Sequence, residues 1–186
     1  MSTRSNVLIE LPDGQVKAIY VHSDGYTSGV GKILMNSYNS YDKAIKLFDY
    51  GDASYLDDTI DTCSFYTRDW NRGDEENKTR TYKNEQMYMY DMAGDIFIEF
   101  IYIFKNGQWF VSSLSSVETK NGYEKSMSYF SKFELLSENK EYIKSKSKKE
   151  KHTEVKMLGQ ITKVLTGSGF EGNNILFQGQ KLKKTN

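Results

Sequence analysis

The residues with the clearest chemical potential lie in one loop, His22-Ser-Asp-Gly-Tyr-Thr-Ser-Gly-Val-Gly-Lys32. Its glycines and hydroxyl residues precede a segment with helical character. Exposed N–H groups at the start of a helix, together with the positive end of the helix dipole, favour an anion, and Lys32 would add charge. We therefore expect Gly29, Gly31 and Lys32 to contribute to an anion-binding corner. The alternative is that the glycines only make a tight turn from strand to helix.

The spacing within this loop excludes a nucleoside-triphosphatase P-loop. The segment between Gly25 and Gly31-Lys32 is one residue longer than the motif allows. In addition, Ile33 stands where Ser or Thr would hold magnesium. A phosphate or nucleotide site without that motif remains open.

The start of the loop offers acid–base chemistry as an alternative. His22 lies two residues before Asp24, and Tyr26 follows Asp24 at the same spacing. A histidine beside a carboxylate can act as a general base, so an enzyme would use His22 as base and Asp24 to orient it. We favour the structural alternative, in which Asp24 caps the turn. Accordingly we predict no catalytic residues, no cofactor and no metal site.

Two arginine segments could complete an anion site in this region. Arg4-Ser5 opens the first predicted strand, and Arg68-Asp69 lies near the end of the third. A guanidinium group binds phosphate or carboxylate through two parallel hydrogen bonds. Ion pairs between Arg4 and Asp69, or between Arg68 and Asp24, are an equally good alternative.

The hydrophobic pattern predicts an α+β fold around these residues. Alternating apolar residues and the turn at Pro12-Asp13-Gly14 indicate a hairpin, and Asn106-Gly107 indicates a second one. The predicted strands are 5–22 with its central turn, 62–70, 96–104 and 108–113, and the predicted helices are 31–38, 40–50 and 84–92. This order favours an antiparallel sheet of hairpins with helices packed on one face, plus a small C-terminal appended element.

Composition is typical of an intracellular globular protein. Aromatic residues make up 14% of the 186-residue chain, too many for a disordered one, although the mean hydropathy is −0.66. The longest apolar run, 96–104, contains Glu99 and is too short for a membrane span. The N-terminus has no signal-peptide pattern, and Cys63 is the only cysteine. We expect a cytoplasmic protein with no membrane partner.

Charge divides the chain near residue 113. Residues 1–113 carry 11 basic and 17 acidic residues, whereas residues 114–186 carry 14 lysines and 8 acidic residues. We expect a domain at 1–113 and a lysine-rich extension at 114–186 with one helix, at 154–165, and a short strand at 175–177. Acidic residues interrupt the lysine run between 140 and 156, so nucleic acid is an unlikely partner.

Several short motifs occur in a recognisable order over residues 2–113. They are Thr3-Arg4-Ser5, Ile19-Tyr20-x-His22-x-Asp24-Gly25-Tyr26, Gly29-x-Gly31-Lys32-x-Leu34, Gly51-Asp52-x-Ser54-x-Leu56, Arg68-Asp69, Arg72-Gly-Asp-Glu75 and Asn106-Gly-Gln-Trp109. This combination resembles a family of small tailed-phage proteins with a Met-x-Thr-Arg-Ser start and a His-Trp-Asp-Gly-Tyr loop. The chain departs from the family pattern at Ser23, which replaces Trp, and at Trp70-Asn71, which separates the two arginine motifs.

The resemblance implies a phage accessory protein that acts on a host process, and it implies no particular activity. Three hypotheses follow. The protein sequesters a small phosphorylated ligand, such as a nucleotide-derived immune signal; it inhibits a host or defence protein, such as a polymerase; or it is a nucleotide-acting enzyme that uses His22. We favour the first, with Arg4, Ser5, His22, Asp24, Tyr26, Gly29, Gly31, Lys32, Arg68 and Asp69 as the ligand-binding set. Small inhibitors often pair symmetrically, so a homodimer is an open alternative.

Overall fold

The computed structural model describes residues 2–73, 75–93, 95–117, 127–146, 174–177 and 180–183. The chain forms two compact units, Met1–Ser145 and Lys146–Asn186. The strands of the first unit are β1 (Ser5–Glu10), β2 (Val16–Val21), β3 (Ala53–Tyr55), β4 (Ser64–Phe65), β5 (Arg80–Tyr82), β6 (Phe100–Lys105), β7 (Gln108–Val117), β8 (Met127–Phe130) and β9 (Glu134–Leu135). In the second unit, β10 (Asn174–Phe177) and β11 (Gln180–Lys183) form an antiparallel hairpin.

Helices and helical turns connect the strands. The α-helices are α1 (Lys32–Ser37), α2 (Tyr41–Ala44), α3 (Tyr66–Asp69), α4 (Glu85–Asp91) and α5 (residues 140–146). A π-helical turn at Thr27–Gly31 leads directly into α1, and 3-10 turns occupy Ile45–Asp49, Glu75–Asn77 and Leu136–Glu138. Within the part of the chain that the structure describes, no helix is long and apolar enough to cross a lipid bilayer. The elements confirm the predicted α+β class.

The strands of the first unit form one nine-stranded sheet. Its order is β4-β3-β2-β1-β6-β7-β8, with β5 paired to β2 and β9 paired to β7. The β1–β2 and β6–β7 hairpins confirm the predicted turns. However, β1 pairs in parallel with β6, and β2 pairs in parallel with β3, so the sheet is mixed rather than antiparallel. A hairpin turn specifies only the strand that follows it, which is why these distant pairings were not predicted.

Helices cover both faces of the sheet, which corrects the prediction that they pack on one face. On the first side, which we call the α1 face, Val7 and Ile19 pack with Leu34 of α1. On the opposite side, the α4 face, Leu8 and Ala18 pack with the buried Tyr88 of α4. The central strands β1 and β6 are apolar along most of their length, so both of their faces must be removed from water.

The segment at 62–70, predicted as one strand, contains a two-residue strand and a short helix. Only Ser64–Phe65 is extended, and α3 begins at Tyr66. The carboxylate of Asp69 accepts the backbone N–H of Phe65 at 2.8 Å, which holds the chain in a tight turn there. The short strands β3 and β5 were not predicted, because three residues do not establish a periodic pattern.

The compact unit extends beyond the predicted boundary at residue 113. Strand β7 runs through this position to Val117. Leu136 and Tyr142 are buried in the core of the same unit, with 0% and 3% of their surface exposed. The charge asymmetry therefore does not coincide with the structural boundary, which follows Ser145. The helix predicted at 154–165 lies outside the described residues, whereas β10 agrees with the strand predicted at 175–177.

Candidate functional site

The glycine-rich loop uses several of its backbone N–H groups for its own folding. Gly29 and Gly31 donate to the carbonyl oxygen of Tyr26 at 2.9 and 3.4 Å, and Val30 donates to that of Asp24 at 2.8 Å. These N–H groups belong to the π-helical turn and are not available to an anion. The arrangement favours the alternative given above, a tight turn from strand to helix.

Close backbone contacts explain two of the glycines. A Cβ atom on Gly29 would lie 2.3 Å from the carbonyl oxygen of Asp24, and one on Gly25 would lie 2.8 Å from the carbonyl carbon of Arg4. The hydroxyl of Tyr102, on β6, donates to the Gly25 carbonyl at 2.8 Å. Because the Tyr102 ring is buried, its pKa is raised well above the ordinary value. The loop is thus anchored on the sheet.

The structure divides the predicted ligand-binding set among three places. Lys32 begins α1, which packs on the α1 face of the sheet. Arg68 and Asp69 end α3 at the β4 side of the sheet. Arg4 and His22 instead lie at the start of β1 and the end of β2. Each is separated by an even number of positions from a strand residue that faces α4, Leu8 or Ala18, so both side chains lie on the α4 face.

Arg68 and Asp69 pair with each other rather than with the loop. The Nε and Nη2 atoms of Arg68 contact the Asp69 carboxylate at 2.6 and 2.9 Å, and Arg68 also donates to the carbonyl oxygens of Ile60 and Cys63. Arg68 holds the pKa of Asp69 below its usual value. The guanidinium donors are therefore occupied in fixing the chain around β4, and this pair is structural.

The alternative ion pairs and the acid–base pair considered for the loop do not form. Asp24 accepts a hydrogen bond from the hydroxyl of Tyr26 at 3.0 Å, not from Arg68. The Nδ1 atom of His22 lies 2.9 Å from the hydroxyl of Tyr20, not beside Asp24. Asp24 also has a positive φ of 58°, as expected for a carboxylate residue in a turn. His22 therefore has a tyrosine, and not a carboxylate, as its hydrogen-bond partner.

Arg4 faces His22 across two adjacent strands. The register pairs Ser5 with Val21, so the preceding residue, Arg4, lies opposite His22. The guanidinium of Arg4 is 5.7 Å from the centre of the Phe97 ring. No carboxylate of the described residues lies within ion-pairing distance of it. Arg4 is thus a partly buried cation without a counter-ion in the described structure.

Tyr20 joins Arg4 to His22. Burial raises the pKa of the Tyr20 hydroxyl, while the nearby guanidinium of Arg4 opposes the shift. This tyrosine was not among the predicted site residues. The signal that could have found it was the strand alternation, which places Tyr20 and His22 on one face.

A partly buried ion pair positions the backbone of Tyr20. The Oδ1 atom of Asp52 accepts the Tyr20 backbone N–H at 2.7 Å and pairs with Arg80 at 2.8 Å. This contact lies where the partner of β2 changes from β5 to β3. Burial raises the pKa of Asp52, although the Tyr20 N–H and the Arg80 guanidinium oppose the rise. Asp52 was noted only as part of a family-like motif, and its role depends on strands too short to predict.

Asn6 lies two residues from Arg4 on the same face, opposite Tyr20 in the register. Its Nδ2 atom donates to the hydroxyl of Tyr88 at 2.7 Å. Its Oδ1 atom has no hydrogen-bond partner, although only 5% of the residue is exposed. A buried acceptor without a donor is costly. We name Arg4, Asn6, Tyr20 and His22 the Arg4–His22 cluster.

Comparison of the chain with family models, with curated proteins and with solved structures gave no match in any of the three. The function of the Arg4–His22 cluster is therefore inferred from its chemistry.

Proposed function

We propose that the protein is a non-catalytic binder that holds a small phosphorylated ligand on the Arg4–His22 cluster. The observation that carries this proposal is the guanidinium of Arg4, which lies beside Phe97 and Tyr20 and forms no ion pair with a carboxylate of the described residues. Charged side chains that leave water are usually paired, so a guanidinium in this position favours an anion. Phosphate oxygens match its two parallel N–H donors.

The neighbouring Tyr20–His22 pair supplies one further donor for such an anion. The Tyr20 hydroxyl and the His22 ring are linked by the 2.9 Å contact at Nδ1, which leaves the Nε2 atom of His22 for a second partner. A tyrosine neighbour does not orient a histidine as a carboxylate does in an acid–base pair. The cluster thus supports binding better than catalysis, and the enzyme alternative has less support.

The biological part of the proposal rests on the resemblance to phage proteins. We propose a phage-encoded accessory protein, in the cytoplasm of the infected bacterium, that counters host defence by sequestering a nucleotide-derived signal. A signal of this kind carries a phosphate, the group to which the Arg4–His22 cluster is suited. Sequestration requires only affinity, which agrees with a site built from donors.

A thermal-shift experiment with phosphorylated compounds tests the binding proposal. ADP-ribose, AMP and a cyclic dinucleotide are each added to the protein and to Arg4→Gln. We expect at least one compound to raise the Tm, because a ligand that binds only the folded state stabilises it. Loss of the guanidinium in Arg4→Gln should lower the affinity for that ligand about tenfold or more.

The matched control is Lys32→Gln, which removes a cation of the loop that lies on the other face of the sheet. This variant should keep the ligand-induced shift. The proposal is rejected if no compound shifts the Tm, or if Arg4→Gln and the parent protein respond equally.

A protein inhibitor is the second candidate function, and an exposed apolar patch favours it. Four large apolar side chains on α4 and the segment after it are open to solvent. They are Met87, Tyr90, Ile96 and Phe97, between 50% and 79% exposed. Exposed apolar groups of this size are typical of protein interfaces. If this candidate is correct, a stoichiometric host protein should be captured by the parent chain and not by Tyr90→Lys.

A further inference from the structure

An exposed aromatic corner lies where α3 ends. Trp70 follows the helix, and 52% of its surface is exposed. Its Nε1 atom donates to the hydroxyl of Ser64 at 2.9 Å, which fixes the indole ring. The ring meets Tyr66 edge to face, with 5.7 Å between the ring centres. A large aromatic surface is thus held rigidly in contact with solvent.

Arg72 completes this corner. Asn71 adopts a positive φ of 52°, which turns the chain so that the N–H of Arg72 reaches the carbonyl oxygen of Tyr66 at 3.1 Å. The guanidinium of Arg72 then lies 6.0 Å from the centre of the Tyr66 ring and 5.8 Å from that of Trp70. Among described residues, no carboxylate forms an ion pair with it. We name Tyr66, Trp70 and Arg72 the Trp70 corner.

The arginines of the chain therefore fall into two classes. Arg68 and Arg80 pair with Asp69 and Asp52, respectively. Arg4 and Arg72 each lie over aromatic rings and lack an ion pair with a described carboxylate. The two without such a pair belong to the Arg4–His22 cluster and the Trp70 corner.

Strand pairing brings the Trp70 corner close to the Arg4–His22 cluster. The N–H of His22 bonds to the carbonyl oxygen of Ala53 on β3, and Ala53 pairs with Phe65 on β4. Two strand spacings, about 10 Å in all, separate His22 from β4, the strand that Tyr66 follows, and Arg4 at the start of β1 lies one spacing further away, at about 14 Å. Tyr66 is also near enough to Tyr20 to contribute to the raised pKa of the Tyr20 hydroxyl. A nucleotide with a pyrophosphate or a second nucleoside, such as ADP-ribose or a cyclic dinucleotide, spans a distance of this order between a phosphate and a base.

We propose that the Trp70 corner is the subsite for the base of a nucleotide whose phosphate binds the Arg4–His22 cluster. This inference rests on the proposed function and specifies its ligand class. Indole and guanidinium surfaces stack on any planar base, whatever hydrogen-bonding groups the base carries. The charge on Arg72 suits a ligand that is anionic overall. An apolar or cationic ring would gain the stacking alone.

Calorimetric titration of the full chain tests the subsite. The base-bearing probes are AMP, ADP-ribose and cyclic di-AMP, and ribose 5-phosphate is the probe without a base. We expect the best base-bearing probe to bind the parent protein about 5- to 150-fold more tightly than ribose 5-phosphate, the range of stacking on one aromatic residue. Trp70→Ala should reduce that ratio towards unity, and Trp70→Phe should retain part of it.

Tryptophan fluorescence provides an independent readout. The chain has two tryptophans, and Trp109 is buried with 2% of its surface exposed. A base that stacks on Trp70 should quench the exposed component of the emission and leave the Trp109 component. Ribose 5-phosphate should quench neither.

The outcomes separate the subsite from the proposed function. If base-bearing probes bind and Trp70→Ala does not lower their advantage over ribose 5-phosphate, the subsite is rejected and the phosphate site stands. If ribose 5-phosphate binds as tightly as every base-bearing probe, the subsite is rejected in the same way. If no probe binds, both the subsite and the proposed function are rejected. Circular dichroism of Trp70→Ala and Trp70→Phe checks that each variant is folded.

Discussion

At the scale of single residues, the environment of each arginine determines its role. Arg68 has two oxygens of Asp69 and two carbonyl oxygens as partners. The guanidinium of Arg4 lies beside the Phe97 ring and the Tyr20 hydroxyl and forms no ion pair with a described carboxylate. The sequence placed both in one anion site, because residue type and spacing do not show which cations are already paired. It identified Arg4 and His22 but could not show that they are cross-strand neighbours.

Tyr20→Phe tests the role of the phenol in the Arg4–His22 cluster. Removal of the hydroxyl takes away the hydrogen-bond partner of His22 Nδ1 and should weaken phosphate-ligand binding about 2- to 10-fold, because a neutral hydrogen bond contributes about 0.5–1.5 kcal/mol. The matched control is Tyr26→Phe, since its hydroxyl bonds to Asp24 on the exposed surface. Calorimetry should show a lower ligand affinity for Tyr20→Phe and an unchanged affinity for Tyr26→Phe. Equal effects of both changes would remove Tyr20 from the site.

Asp52 is a positioning residue whose loss should lower stability. Asp52→Ala leaves the Tyr20 N–H and the Arg80 guanidinium without their acceptor, so we expect the free energy of unfolding to fall by about 2–4 kcal/mol. Asp52→Asn keeps an acceptor for the N–H and should cost less. Urea unfolding measures both values. Equal values for the two variants would contradict the assignment.

At the scale of elements, the hairpins were predictable and the parallel pairings were not. The turn residues specify β1–β2 and β6–β7 locally. The β1–β6 pairing joins residues 95 positions apart, and no local pattern encodes it. The glycine-rich loop shows the same limit. Its composition predicts a strand-to-helix connection, but the use of its N–H groups depends on the π-helical turn.

Gly29→Ala tests the structural role of the loop. The added Cβ would lie 2.3 Å from the Asp24 carbonyl oxygen, so the backbone must shift, and we expect a loss of about 1–3 kcal/mol in the free energy of unfolding. Gly73→Ala is the control, because a Cβ there meets nothing within 4 Å. Both values come from denaturant unfolding. A stable Gly29→Ala protein with impaired ligand binding would instead favour the anion-corner prediction.

At the scale of the whole molecule, the first unit is a mixed sheet that is buried on both faces. Tyrosines contribute to both cores: Tyr102 lies on the α1 face and Tyr88 on the α4 face. The sequence indicated a sizeable core from its aromatic content, but it could not assign those rings to two layers. The Arg4–His22 cluster lies at one end of the α4 face, where β1 begins and β2 ends, and its Asn6 contacts Tyr88 of α4.

The buried tyrosines predict a loss of stability at alkaline pH. Burial raises the pKa of Tyr88 and Tyr102 above the ordinary value of 10.0. The unfolded chain therefore releases these protons at lower pH than the folded one, and the free energy of unfolding should fall as pH rises above about 10. Tyrosinate absorbance and circular dichroism, followed together, should show late-titrating phenols that ionise only as the protein unfolds. Titration of every tyrosine before unfolding would contradict the buried assignment.

The central claim, that Arg4 holds the phosphate of a ligand, is tested most directly by the NMR signals of the arginine Nε–Hε groups. The chain has four arginines, and Arg4→Gln assigns the signal of Arg4. On titration with the best-binding nucleotide, we predict a large shift of the Arg4 signal. The signals of Arg68 and Arg80, which are paired with Asp69 and Asp52, should stay in place. Saturation binding with an unmoved Arg4 signal would contradict the claim.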